Sequence, residues 1–120
     1  TAFIRSIEPK GVTVSVGGEI GEVGEKNSTP EEYYAFMKEY QAALRKAGKT
    51  LKGISKISVQ TGTSHGGTVL PDGSIAKVNI DFGVLKSISK IAMREFSLGG
   101  AVQHGASTVP VEEYRIFAQS

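Results

Sequence analysis

The chain contains no cysteine. That excludes a disulfide framework, a thiolate nucleophile and a thiolate metal site, so any metal has to be held by histidines and carboxylates. Histidine is itself scarce, with two copies, His65 and His104. No apolar stretch approaches the roughly 20 residues of a membrane-spanning helix, and the first residues lack a basic segment followed by an apolar signal core. The cytoplasm is therefore the expected compartment, with no membrane partner. A dominant charge is also missing: the formal net charge of +2 supplies no broad basic field to hold nucleic acid. A chain of 120 residues suffices for one modest core and not for two. Residues 1–120 are read as a single domain or a part of one.

Glycine, by contrast, is plentiful and clustered: Gly17, Gly18, Gly21 and Gly24, then Gly62, Gly66 and Gly67, then Gly99, Gly100 and Gly105. Each cluster flanks a β-branched run instead of being scattered among Ser and Pro, which points to strand-to-helix turns and not to a flexible linker. The strand candidates are Gly11 to Val16, Ile54 to Thr61 and Gly100 to Gln103. Between the first two, Thr29-Pro30-Glu31-Glu32 spells a capping box with proline at the first helical position. Tyr33, Phe36, Met37, Tyr40, Leu44 and Ala47 then recur at helical spacing until Gly48. Between the second and third strands, Asp81 is placed to cap a helix whose Leu85, Ile88, Ala92 and Phe96 share a face before Gly99.

The order strand, helix, strand, helix, strand predicts an α/β fold with parallel strands, because a parallel neighbour is reached only through a crossover. Pro71-Asp72-Gly73 reads as a turn between two short arms. Thr1 to Glu8 reads as the last turns of a helix, and Thr108 to Tyr114 as the opening of another, so the chain is expected to begin and end inside a larger fold.

Both histidines close an apolar run and are followed at once by glycine, Gly66 or Gly105. In a parallel α/β protein that position is the carboxyl edge of the sheet, where ligands bind. A lone histidine is ordinarily a hydrogen-bonded structural residue; two on one rim suggest a metal. Glu19, framed by glycines at the end of the first strand, can reach a metal or a polar substrate, or else is a solvated turn residue. Glu22 and Glu25 read as surface charges. Gly105, Ser107 and the helix start after them offer N–H groups and a hydroxyl to an anion such as phosphate, although Ser107 or Thr108 could equally serve as a helix cap.

The strings Glu19-Ile20-Gly21-Glu22-Val23-Gly24, Gly62-Thr63-Ser64-His65-Gly66 and His104-Gly105-Ala106-Ser107, in that order, resemble three rim motifs of the class II, zinc-dependent fructose-bisphosphate aldolases and their tagatose-bisphosphate relatives. The resemblance implies about three consecutive β/α units of a (β/α)8 TIM barrel. By that likeness His65 and His104 are zinc ligands, and Glu19 is a ligand for zinc in another position or for a second metal or monovalent cation. Gly66, Gly105 and Ser107 would hold the phosphate of dihydroxyacetone phosphate.

The activity so implied is zinc-dependent, reversible aldol cleavage of fructose 1,6-bisphosphate to dihydroxyacetone phosphate and glyceraldehyde 3-phosphate within a longer enzyme, the 120-residue chain alone being expected to be inactive. The family's third zinc histidine, its general acid/base and its Asn-x-Asp strand have no counterpart here, and Glu25-Lys26-Asn27 leaves the proton-abstracting residue open. The implied partners are the sugar bisphosphate and either a second copy of the chain or the rest of the barrel. The rival readings are a tagatose-bisphosphate or other sugar-phosphate aldolase, and a non-catalytic phosphosugar- or metal-binding fragment.

Overall fold

The computed structural model describes residues 1–63, 69–74, 76 and 78–119. Three short parallel strands, β1 (Gly17–Glu19), β2 (Lys56–Val59) and β3 (Ala101–Gln103), form one sheet in the order β1-β2-β3. Helix α2 (Pro30–Ala47) connects the first pair and α3 (Phe82–Phe96) the second, as parallel crossovers require. The short helices α1 (Ala2–Ile7) and α4 (Tyr114–Phe117) stand at the two ends. No helix among the described residues is long and apolar enough to cross a membrane.

The sequence signals at α2 act locally and hold. Thr29 Oγ1 accepts the Glu32 N–H at 3.2 Å while Glu32 Oε2 accepts the Thr29 N–H at 3.0 Å, so two of the otherwise unsatisfied amino-terminal donors are paired. Asp81 Oδ1 likewise accepts the Val84 N–H at the start of α3. The end of α3 differs from expectation. The left-handed residue is Ser97, with φ 57° and ψ 32°, and not a glycine. Leu98 N–H then donates to Ala92 O at 3.0 Å, which returns the Leu98 side chain to the core. Gly99 instead feeds β3, its N–H donating to Ser55 O at 2.7 Å.

The first strand is also displaced from its expected place. Gly11 to Val16 forms no ladder, and pairing begins at Gly17. The reason is a competing set of partners: the Val14 N–H goes to Glu8 Oε2 and the Val14 carbonyl to the Arg5 guanidinium. Arg5, whose side chain is 2% exposed, also donates to the carbonyls of Lys52 and Gly53. It thereby ties α1 to the segments entering β1 and β2, and its buried charge is offset by Glu8 and three carbonyls.

The helices cover one face of the sheet. Tyr33 and Met37 from α2 and Leu85, Ile88 and Ala92 from α3 pack on Ile57 and Val59 of β2, and Phe96 meets the Tyr33 ring edge-on at 5.4 Å. Strand alternation sends Gly17, Glu19, Lys56 and Val102 to the other, exposed face, as the period of two dictates. The Pro71-Asp72-Gly73 turn is present: Gly73 N–H donates to Leu70 O and Leu70 N–H to Ser74 O.

Candidate metal centre at the carboxyl edge of the sheet

The register sets which side chains meet. Glu19 pairs with Ser58 and Ser58 with Val102, so Glu19 and Val102 share a face, and His104, two residues beyond Val102, returns to that face at the carboxyl edge. His104 is anchored there by its own N–H, which donates to Val59 O at 2.9 Å. Its imidazole Nε2 stands 3.1 Å from Glu19 Oε1, with side-chain exposures of 23% and 58% respectively. Two of the three expected ligand residues, from the outer strands of the sheet, are thus brought together across β2. The third, His65, lies with Gly66 outside the described residues.

The donor set suits zinc. An imidazole nitrogen and a carboxylate oxygen are both zinc ligands, and two donors each about 2.0–2.2 Å from a tetrahedral ion stand about 3.3–3.6 Å apart. The observed 3.1 Å is a few tenths of an ångström shorter, so the two groups would part only slightly to share a cation. Among the described residues no group of three or more His, Asp or Glu side chains converges. Glu22 and Glu25 are exposed, as expected of surface charges. Beside them, Lys26 pairs with Glu32, and this contact, followed by the Thr29 N–H, holds the Glu32 carboxyl below its usual pKa.

At Gly105 and Ser107 the structure departs from the expected helix start. Gly105 adopts the left-handed conformation with φ 69°, and Ser107 is exposed beside it. No regular helix starts at this point. Ala106–Thr108 is a single 3-10 turn, followed by a second at Val111–Glu113 before α4. Pro110 is the cause: it disfavours a helical residue before it, and Val109 is extended with φ −80° and ψ 136°.

Sequence reasoning missed the polar layer below this rim. Gln60, Thr61, Thr63 and Gln103 are all buried, inside runs that otherwise read as apolar strands. The available signal was the two glutamines themselves, each set at the carboxyl end of a β-branched strand where an uncharged amide must find partners once buried.

A cleft of about 220 Å³ on the exposed sheet face is lined by Glu19, Lys56, Ser58 and Val102. A larger cavity of about 630 Å³, lined by Arg5, Tyr40, Leu44, Lys52 and Phe96, opens at the amino ends of the strands. It lies at the far end of the sheet from Glu19 and His104.

Comparison with curated proteins finds no match, and comparison with solved structures finds none. The family model for class II fructose-bisphosphate aldolase matches residues 6–120. That span takes in all three strands, both long helices and the Glu19 and His104 pair, and by its extent the chain belongs to the class II fructose-bisphosphate aldolase family.

Proposed function

We propose that this chain contributes three β/α units to a cytoplasmic, zinc-dependent aldolase barrel that reversibly cleaves fructose 1,6-bisphosphate to dihydroxyacetone phosphate and glyceraldehyde 3-phosphate. The observation that carries the reading is the 3.1 Å approach of His104 Nε2 to Glu19 Oε1 at the carboxyl edge of a parallel sheet, in a chain of this family.

When bound, zinc supplies a Lewis acid that polarises a substrate carbonyl. The residues of this chain hold and orient. His104, with His65, offers imidazole nitrogens, and Glu19 offers a carboxylate on the same face of the sheet. Gly105, with no side chain, lets a phosphate approach the backbone, and the exposed Ser107 hydroxyl is free to donate to a phosphate oxygen, with Gly66 the third residue assigned to the phosphate.

The test is an aldol-cleavage assay on the closed barrel containing this chain, with fructose and tagatose 1,6-bisphosphate compared side by side. Cleavage of the fructose substrate that is abolished by a chelator and restored by zinc is expected. Preference for the tagatose substrate would move the assignment to that relative, and zinc binding without cleavage of either would reduce the chain to a metal-binding fragment. Ser107→Ala should raise KM without changing zinc content.

A further inference from the structure

Gln60, Thr63 and Gln103 form one connected polar cluster beneath the rim, at 0%, 1% and 6% exposure. Buried amides and hydroxyls are costly unless paired, and here the pairs are closed among themselves and onto the backbone. Gln60 Nε2 donates to the Thr63 carbonyl at 2.6 Å, and Gln60 Oε1 accepts from Thr63 Oγ1 at 2.7 Å. Gln103 Nε2 donates to the His104 carbonyl at 2.8 Å and reaches Thr63 Oγ1 at 3.3 Å, while Gln103 Oε1 accepts from the Thr61 hydroxyl. The Thr63 hydroxyl also lies against the His104 carbonyl, and its single proton serves Gln60 or His104, one at a time.

The same residues hold the loop that follows Glu19. Gly24 N–H donates to the Thr63 carbonyl at 3.1 Å, and Ser28 N–H to the Gln60 carbonyl at 2.7 Å. Ser28 Oγ in turn accepts the Gln60 N–H at 3.0 Å. His104 is therefore gripped on both sides of its Cα, by Val59 at its N–H and by the cluster at its carbonyl. The loop carrying on from Glu19 is tied to that same cluster at two points. An apolar strand end could fill this space, but it could not specify the orientation of two loops against one peptide group.

We propose that Thr63, Gln60 and Gln103 are positioning residues that hold His104 and the loop after Glu19 in one fixed arrangement, acting on the site through those two elements without touching substrate. The inference rests on Glu19 and His104 being the functional pair, and on neither the sugar nor the completed reaction.

The test uses the 120-residue chain, metal-free, by NMR. In the wild type, the side-chain amide protons of Gln60 and Gln103 should exchange with solvent at least about tenfold more slowly than those of the exposed Gln119; equal exchange would overturn the cluster. Thr63→Val keeps the shape and removes the hydroxyl. It should speed exchange of the Gly24 and His104 amides by about five- to tenfold, the equivalent of one lost hydrogen bond, and shift the His104 imidazole nitrogen resonances. Amides of Ile88 and Ala92 should not change, and Thr63→Ser should restore the wild-type pattern. Gln103→Met, which removes the donor to the His104 carbonyl together with the acceptor of the Thr61 hydroxyl and leaves the Thr63 hydroxyl in place, is the second variant and should move the His104 resonances while leaving the Gly24 amide unchanged. Unmoved imidazole resonances in whichever variant folds, or uniform acceleration of every amide, would show an ordinary buried polar layer. Failure of zinc to bind the closed barrel, with these shifts intact, would count against the metal reading and leave the positioning role standing.

Discussion

Gly105 is packed against Thr63 so closely that a Cβ on it would lie 2.9 Å from Thr63 Oγ1 and 3.2 Å from Thr63 Cβ. With φ 69° as well, the position is closed to a side chain on two independent grounds, and Val23 at 3.4 Å bounds the remaining side. Gly105→Ala should therefore cost roughly 1–3 kcal/mol of stability, since both left-handed strain and a fixed steric contact oppose it. Thermal or urea unfolding of the variant checks this. A change below about 0.5 kcal/mol would mean that the loop yields freely.

Removal of either member of the Glu19–His104 contact should act on metal before it acts on fold. His104→Ala and Glu19→Gln in the closed barrel should each weaken zinc binding by at least about tenfold, as loss of even an indirect support does at zinc sites. Competition with a chromophoric chelator measures it. Wild-type affinity in both variants would remove the pair from the metal site.

The amino-terminal cap of α2 offers a prediction that depends on local chemistry alone. Thr29→Ala removes the acceptor of the Glu32 N–H and should lower stability by about 1 kcal/mol. Thr29→Ser should restore most of it, as read from denaturant midpoints at constant m.

Acid should loosen the clamp at the amino ends of the strands. The Val14 N–H, and after it the Arg5 guanidinium, hold the Glu8 carboxyl below its usual pKa. A carboxyl depressed on folding contributes stability that is fully present above the unfolded-state pKa and is lost as pH falls through the folded one. Glu8→Gln should thus lower the melting temperature at about pH 7, and the gap to wild type should narrow toward about pH 3. A gap independent of pH would show that Glu8 acts by shape and not by charge.

The sheet presents Gly17, Glu19, Lys56 and Val102 on a face that the helices leave exposed, and Val102 alone is 45% exposed. Outer strands and an uncovered face are ready to pair. At micromolar concentration the chain should sediment as dimers or larger species, or assemble with the remaining strands of the barrel. A compact monomer at all concentrations would show that this face is stable in water.

Much of this protein was settled by neighbours in sequence. The capping box at Thr29 and Glu32, the Asp81 cap and the turn at Asp72 and Ser74 join residues two or three positions apart, so residue type and spacing were enough to place them. The parallel order followed from the alternation of strands and helices, and the identity of Glu19, His104, Gly105 and Ser107 as site candidates followed from their places after β-branched runs. What needed the tertiary structure was every feature whose partners are distant in the chain. Gly11 to Val16 has strand composition, yet Val14 is claimed by Arg5 and Glu8, and that competition is decided by where α1 docks. The meeting of Glu19 with His104 depends on the register of both with β2, a one-residue slip of which would turn one of them to the helical face. The burial of Gln60, Thr63 and Gln103 depends on the loop after β1 and on Gly105 packing against them. Local signals are fixed by bonded geometry, whereas register, burial and competition for a hydrogen bond are properties of the packed whole, and it is these that bring a carboxylate and an imidazole to one edge of the sheet.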